Sequence, residues 1–209
     1  MTASAHAARV PVRRPVLADA VLPRTSLLID AALVLGGAAL VALLAQVTIP
    51  MPIVPITGQT LGVLVVGAAL GARRGAAALT AYMGAGLAGM PVFAGFTGTI
   101  AAVATTSFGF ILGFIPAAFL AGWFAERAWD RRPWLAMVGF IAASIVPFLV
   151  GVPYMAYILN MVMGAGYDLA GILAVGVTPF IAGGLVKAAI AAVAIPAAWR
   201  GVRALDSRR

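Results

Sequence analysis

The sequence predicts an all-α, polytopic membrane protein with six transmembrane helices. Of its 209 residues, 63% are apolar and 10% are charged, and the mean hydropathy is +1.08. Soluble domains are roughly half apolar and one quarter charged. The apolar residues form long runs separated by arginine clusters, and ~20 apolar residues in a helix cross the hydrocarbon core of a bilayer. Because backbone groups in lipid need partners within their own segment, each run is expected to be helical.

The predicted membrane domain covers residues 26–199. It lies between a basic, cytoplasmic N-terminal tail, residues 1–25, which is expected to be poorly ordered, and a basic cytoplasmic C-terminal tail, residues 200–209. The predicted spans are residues 26–47, 60–71, 75–90, 100–124, from 134 past Pro147 and Pro153, and 179–198. The second span is short. The two prolines are expected to bend or end the fifth helix.

The arginines predict the orientation of these spans. If both termini are cytoplasmic, six spans place all 13 arginines on the cytoplasmic side, whereas the three other loops carry one charge, Asp168. This distribution follows the positive-inside rule. The first apolar segment could also be read as a secretory signal, but its length exceeds the ~7–15 residues of a signal's apolar region, so we expect it to be retained.

Composition argues against several classes of site. The chain has no cysteine, so disulfides, zinc clusters and thiol nucleophiles are excluded. Its single histidine, His6, lies in the polar N-terminal tail, and a metal site needs several converging ligands. A net charge of +8 can indicate nucleic-acid binding, but the arginine clusters alternate with apolar runs. We predict a lipid bilayer as the partner, with no nucleic acid and no metal.

Gly84, Gly86 and Gly89 spell the dinucleotide-binding pattern GxGxxG. That pattern requires a preceding strand and an acidic residue ~20 positions later. No acidic residue occurs between Asp30 and Glu126, and the glycines lie in an apolar segment. We therefore expect close helix packing there and no nucleotide.

Lys187 is the strongest single candidate for a functional residue. It is the only lysine in the chain, and it lies about ten residues from either end of the last predicted helix. A charge at this depth is costly in lipid and usually marks a ligand or ion pathway, whereas a snorkelling lysine is expected near a helix end. No acidic residue within that helix can pair with it. The sequence predicts an anionic or strongly hydrogen-bonding ligand, with a snorkelling lysine as the alternative.

The proline-rich turn at residues 49–59 supplies a second set of candidates. Thr57 and Gln59 offer a hydroxyl and an amide, and Gly58 permits an unusual backbone. A turn of this kind can also serve only to connect two helices.

Aromatic and amide side chains supply a third set. Tyr82 and the loop at residues 89–98, which contains Phe93, combine aromatic rings with glycine. This combination suits a flat ring system, and it also fits an interfacial aromatic belt. Asn160 and Tyr157, late in the fifth segment, are weaker polar candidates.

Small residues at four-residue spacing mark the first predicted helix. The pairs Ala32 with Gly36 and Ala38 with Ala42 fit the small-xxx-small pattern of close helix packing. Such a face can pack within this chain or can dock another membrane subunit.

Four separated blocks agree in order and spacing with one known family. They are VPITGQTLGVLVVGAALGARRGA at residues 54–76, YxxxGxxGxPVFAG at 82–95, SFGFILGF at 107–114 and GVTPFIAGGLVKA at 176–188. On these blocks the chain resembles BioY, the biotin-specific S-component of energy-coupling factor (ECF) transporters. The resemblance covers most of residues 27–200.

The resemblance implies the ECF S-component fold of six helices, with an outward-facing vitamin pocket. It implies biotin as the ligand, with Lys187 as the strongest polar contact, Thr57 and Gln59 as further polar contacts, and Tyr82 and Phe93 as the ring wall. Asn160 remains a weaker candidate. It also implies a multi-pass protein in a prokaryotic cell membrane.

The same resemblance implies partner subunits. They are a membrane coupling (T) subunit and two cytoplasmic ATPase (A) subunits. The small residues of the first helix resemble the docking surface of such subunits. The chain contains no GxxxxGK[ST] phosphate-binding loop, so ATP hydrolysis would come from the partners, and no cofactor is predicted.

Two positions depart from the family pattern. Where the family commonly has PGDLIK, residues 182–187 read AGGLVK, so Gly184 replaces an acid three residues before Lys187. Residues i and i+3 share a helix face, so the lysine loses its usual partner, which puts biotin affinity or specificity in question. Phe110 stands where the family commonly has a tyrosine.

Three alternatives to biotin capture remain open at this point. The chain could be an S-component for another water-soluble vitamin, or a membrane assembly subunit without a ligand. A membrane enzyme would need convergent nucleophiles, acids or metal ligands. The isolation of Lys187 and the absence of cysteine argue against that, so the sequence predicts no enzyme.

Overall fold

The computed structural model describes residues 15–22 and 26–206. The helices of the described residues are α1 (Leu17–Val21), α2 (Leu27–Ala45), α3 (Gln59–Leu70), α4 (Ala72–Leu87), α5 (Phe108–Ala125), α6 (Pro133–Tyr157), α7 (Leu169–Gly176) and α8 (Thr178–Asp206). Two 3-10 turns (Ile100–Ala104 and Trp129–Arg131) precede α5 and α6, and a π turn (Ile158–Val162) follows α6. His6 and the arginines at 9, 13, 14, 24, 208 and 209 lie outside the described residues.

The all-α prediction is confirmed. The six predicted spans correspond to α2, α3, α4, α5, α6 and α8. Within the described ranges, four stretches are long and apolar enough to cross a membrane: residues 27–45, 108–125, 133–162 and 169–205. Helix α3 is apolar but shorter. The count of six spans and the cytoplasmic placement of both termini stay predictions.

The structure differs from the sequence prediction at several helix boundaries. Helix α6 ends at neither Pro147 nor Pro153 but continues to Tyr157. Helix α7 was not predicted; the Asp168 carboxylate caps it by accepting from the Gly171 N–H at 2.8 Å. Helix α1 lies within the segment described above as a tail, and α8 continues through residue 200 to Asp206.

Glycine on α3 allows this helix to sit at the centre of the bundle. It packs against α2, α4, α5 and α8. A Cβ atom at Gly67 would lie 2.5 Å from the Ala118 carbonyl oxygen of α5, closer than real contacts allow. The close approach of α3 and α5 therefore depends on glycine, which is typical of helix packing in membranes.

Glycine on α4 places the aromatic ring of Phe93. A Cβ atom at Gly86 would lie 2.1 Å from that ring, so the ring rests directly on the helix backbone. Gly89 has a φ of +100° just past the end of α4, where glycine favours the chain reversal. The GxGxxG pattern thus contains one packing glycine and one glycine at a helix end, while Gly84 faces open space.

A β-hairpin joins α2 to α3 and sets the direction in which the chain enters α3. Strands β1 (Thr48–Ile49) and β2 (Ile56–Thr57) pair antiparallel, with Thr48 opposite Thr57. This pairing folds the proline-rich turn back on itself, so the chain enters α3 with Thr57 and Gln59 directed into the bundle.

Arginines gather at the opposite end of the bundle, which we call the basic end: Arg73, Arg74, Arg127, Arg131, Arg132, Arg200 and Arg203. Arg74 pairs with Asp19 at 2.6 Å and with Asp30 at 2.8 Å, which joins α1, α2 and α4. The Glu126 carboxylate accepts from the Ala72 N–H at 3.0 Å, which joins α5 to α4. These contacts hold the helix ends together on the side away from the site.

Candidate functional site

A cavity of about 390 Å³ opens at the end of the bundle that carries the hairpin. It lies between the start of α3, the segment after α4, and helices α5, α6 and α8. Its size is within the ~300–1,000 Å³ range of small-molecule sites. Thr57, Gln59, Phe93 and Lys187 line it together, so four of the six predicted ligand contacts share one cavity.

The Lys187 ammonium has two neutral acceptors. It donates to the Thr57 carbonyl oxygen at 2.5 Å and to the Thr60 hydroxyl at 3.1 Å. Of the described residues that line the cavity, Lys187 alone is charged, and no ion pair joins it to any described carboxylate. An ammonium has three donors, so one remains for a ligand. The cavity therefore presents an uncompensated positive charge.

Gln59 connects the polar side of the cavity to the core. Its side-chain oxygen accepts from the Thr57 hydroxyl at 2.7 Å, and its amide nitrogen donates to the Tyr82 hydroxyl at 2.6 Å. Buried polar groups need such partners. The network fixes the Gln59 amide, and it uses the Tyr82 hydroxyl as an acceptor.

Tyr82 lies behind the cavity wall. It is 1% exposed and is not among the lining residues. Its ring meets the Phe93 ring edge to face, with 5.5 Å between centroids. Phe93 lines the cavity, so Tyr82 supports the wall through Phe93 and Gln59.

Besides Phe93 and Phe114, three phenylalanines that contact one another form an aromatic wall of the cavity. Phe110, Phe148 and Phe180 all line the cavity. The Phe110 ring lies 5.7 Å from Phe148 and 6.3 Å from Phe180 between centroids. Sequence reasoning did not assign them this role. Phe180 precedes Lys187 by two helical turns, a spacing that places both on one face and that would have identified it.

Gln46, at the end of α2, fastens the loop that carries Phe93. Its amide nitrogen donates to the Phe93 carbonyl oxygen at 3.1 Å, and its side-chain oxygen accepts from the Phe96 N–H at 2.9 Å. Phe96 has a φ of +56°, which is unusual for a residue other than glycine. Sequence reasoning missed Gln46, although a lone amide directly after an apolar helix was a visible signal.

Asn160 is not part of the cavity lining. Its amide nitrogen donates to the Tyr167 carbonyl oxygen, and its side-chain oxygen accepts from the Tyr167 N–H, both at 2.8 Å. Asn160 therefore fastens the connection between the π turn and α7.

Gly184 is also absent from the cavity lining. A Cβ atom built there would meet nothing within 4 Å, so an acidic side chain would have room. Instead of a carboxylate, the Thr57 carbonyl oxygen and the Thr60 hydroxyl accept hydrogen bonds from two of the three N–H donors of Lys187.

The four small residues of α2 divide into two pairs. Ala32 and Gly36 are exposed, and a Cβ atom at Gly36 would meet nothing within 4 Å. Ala38 and Ala42 are half-buried and pack against the core of this chain.

Comparisons with known proteins agree on one family. The profile of the BioY family matches residues 16–204. The chain is 35% identical to the biotin transporter BioY of Rhizobium etli, over 74% of this chain and 83% of that protein. It is 31% identical to the biotin transporter BioY of Thermotoga maritima, over 74% of this chain and 86% of that protein.

A solved structure shares the fold. It is the crystal structure of the S-component for biotin from an ECF-type ABC transporter. It matches with a TM-score of 0.64 and 21% identity, over 85% of this chain and 95% of that chain. With the family profile covering nearly all described residues, the chain belongs to the BioY family.

Proposed function

We propose that the protein captures biotin as the substrate-binding subunit of a vitamin uptake transporter. The observation that carries the proposal is the cavity, whose wall is aromatic and whose one charged lining residue among those described is Lys187. The chain belongs to a family whose curated relatives are named biotin transporters.

The chemistry of biotin suits this cavity. Its fused rings are largely apolar and match the phenylalanine wall. Its ureido group offers two donors and an acceptor, which suits the Thr57 hydroxyl and the Gln59 amide. Its valerate is an anion, and the remaining donor of Lys187 suits either that carboxylate or the ureido carbonyl.

The partners follow from the proposal. The subunit would work in a prokaryotic cell membrane, with the basic end cytoplasmic. A membrane coupling subunit and two ATPase subunits would drive transport, because the sequence has no phosphate-binding loop of its own. The exposed pair Ala32 and Gly36 on α2 gives a face where another helix can approach closely.

Ligand identity is tested by titrating the detergent-purified chain with biotin beside a panel of other water-soluble vitamins. Saturable binding of biotin alone supports the proposal. Binding of a different vitamin makes the chain an S-component of other specificity, and binding of none makes it an assembly subunit. Either of these outcomes overturns biotin capture.

Coupling is tested with Gly36→Leu, which fills the open face of α2. Co-purification with the coupling subunit should be lost, while biotin binding persists at the distant cavity. Gly201→Leu is the matched control, because Gly201 is also exposed with nothing within 4 Å of its Cβ position. Unchanged co-purification of Gly36→Leu would remove this face from the coupling interface.

A further inference from the structure

A second cavity, of about 470 Å³, lies at the basic end, far from Lys187. It is bounded by the turn between α5 and α6, the start of α6 and the last part of α8. Its lining is rich in arginine and consists of Arg127, Ala128, Trp129, Arg131, Arg132, Leu135 and Arg203.

No carboxylate balances these arginines within the described lining. Two acids flank the cavity along the chain, Glu126 and Asp130, and neither lines it. The Glu126 carboxylate accepts from the Ala72 N–H. The Asp130 carboxylate, which is 2% exposed, accepts from the Trp199 indole N–H and attracts Arg131 from within the core. The cavity concentrates positive charge from three separate elements of the fold.

Aromatic rings hold two of the four arginines in place. The Arg127 guanidinium lies 3.3 Å from the Trp123 ring centroid and donates to the Trp123 carbonyl oxygen at 3.0 Å. The Arg131 guanidinium lies 4.2 Å from the Trp199 ring centroid and donates to the Pro15 carbonyl oxygen at 2.9 Å. The Arg131 Nε–H is buried without an acceptor among the described atoms. Contacts within the chain therefore hold both guanidinium groups at the cavity.

The other two arginines have donors to spare. Neither Arg132 nor Arg203 makes a side-chain hydrogen bond or an ion pair with a described residue, and both line the cavity. A planar guanidinium matches the oxygens of a phosphate group in a bidentate manner. Two ordered and two unpartnered guanidinium groups around one cavity suit a phosphate-bearing anion.

We propose that this cavity binds the phosphate of an anionic phospholipid headgroup from the leaflet at the basic end. The positive-inside rule accounts for arginine at this end but does not require four of them to converge on one cavity. Trp134, beside the cavity on α6, is 65% exposed, as expected of an aromatic side chain at a membrane interface. Basic pockets between membrane helices on the cytoplasmic side bind such headgroups.

The test uses native mass spectrometry of the full chain in detergent. The probes are cardiolipin, phosphatidylglycerol, phosphatidylcholine and inorganic phosphate. We expect the wild type to retain the two anionic lipids in preference to phosphatidylcholine. The double variant Arg132→Gln/Arg203→Gln should lose roughly tenfold or more in retention, because it removes the two guanidinium groups that are free to bind the phosphate in a bidentate manner.

The control is Arg73→Gln/Arg200→Gln. These arginines are exposed at the same end but lie outside the cavity, and the change in net charge is identical. The control should retain lipid as the wild type does. An equal loss of lipid retention in both double variants would show that general surface charge causes the effect, and it would overturn the proposed binding site.

Two further outcomes overturn the proposal. One is that the wild type retains phosphatidylcholine as well as it retains the anionic lipids, a comparison that needs no variant. The other is binding of inorganic phosphate that anionic lipid does not displace, since this assigns the cavity to a free anion. Thermal unfolding of each variant confirms that it is folded, and Arg203→Gln alone replaces the double variant should that protein not fold.

Discussion

The Lys187 ammonium on α8 donates a hydrogen bond to the Thr57 carbonyl oxygen, 130 residues earlier in the chain, at 2.5 Å. This bond joins α8 to the turn between α2 and α3. A carbonyl oxygen carries no net charge, so this bond does not neutralise the charge of the ammonium.

Replacing Tyr82 with phenylalanine tests whether Tyr82 supports the site or contacts the ligand. The change removes the acceptor of the buried Gln59 amide, which should lower the free energy of unfolding by ~1–3 kcal/mol. The free energy of biotin binding should fall by less than the free energy of unfolding, because Tyr82 does not line the cavity. Thermal unfolding and titration measure the two effects.

Tyr157→Phe is the control for this change, since Tyr157 is 60% exposed. Loss of binding by Tyr82→Phe at unchanged stability would mean that its hydroxyl touches biotin directly.

The aromatic wall should contribute a large part of the affinity. Phe148→Ala and Phe180→Ala each remove a ring that lines the cavity. Burial of such a side chain is worth ~1.5–3 kcal/mol, so the dissociation constant should rise by about tenfold or more. Phe119→Ala is the control, because Phe119 on α5 is 45% exposed. Equal affinity in all three variants would place the biotin rings elsewhere.

Gln46 should slow the release of ligand. Gln46→Leu removes the hydrogen bonds to the Phe93 carbonyl and the Phe96 N–H, so the loop that carries Phe93 is less restrained. At ~1 kcal/mol for each lost bond, the dissociation rate should rise by roughly tenfold or more, with less change in the association rate. Stopped-flow displacement of bound biotin measures both rates.

Thr80→Val is the matched control for Gln46→Leu, since the Thr80 hydroxyl bonds only within its own helix. A dissociation rate of Gln46→Leu equal to that of the wild type would show that the loop does not limit release.

Asp130 should make stability depend on pH. Burial raises the pKa of its carboxyl to about 6, although the Trp199 indole and Arg131 oppose the shift. Between the ordinary pKa near 3.8 and this value, the folded protein binds the extra proton. The free energy of unfolding should therefore fall, by an amount on the order of 3 kcal/mol, as pH rises through this window.

Thermal unfolding at pH 4.5 and 7.5, values chosen on either side of about 6, measures this dependence. Asp130→Asn keeps an oxygen for the Trp199 indole and should remove the dependence. Asp168→Asn is the control, because Asp168 is exposed and either residue can cap α7. Persistence of the full dependence in Asp130→Asn would assign it to another group.

Much of the architecture could be predicted from the sequence because apolar length and arginine placement are strong, local signals. The sequence also indicated Thr57, Gln59, Phe93 and Lys187 as separate candidates, and the resemblance to BioY assigned them to one vitamin pocket; in the structure they line one cavity. Each is a polar or aromatic group in a segment where such groups need a specific reason to occur.

The remaining features depend on contacts between distant segments. The sequence predicts Tyr82 as a wall residue, whereas in the structure its hydroxyl accepts a hydrogen bond from the Gln59 amide, 23 positions away. The sequence predicts Asn160 as a polar ligand contact, but in the structure its side chain forms hydrogen bonds with the backbone of Tyr167. Phe148 lies in a uniformly apolar helix, where no periodicity distinguishes a ring facing the cavity from one facing lipid.

The role of Lys187 is tested most directly by calorimetric titration of biotin into the wild type, Lys187→Met and Lys187→Arg. A hydrogen bond to a charged group contributes ~1.5–3 kcal/mol, so Lys187→Met should weaken binding by roughly tenfold to a hundredfold. Lys187→Arg should retain part of the affinity. Val186→Met, at an adjacent exposed position, should bind as the wild type does. Wild-type affinity in Lys187→Met would contradict the account, because the charged side chain would then have no part in holding biotin.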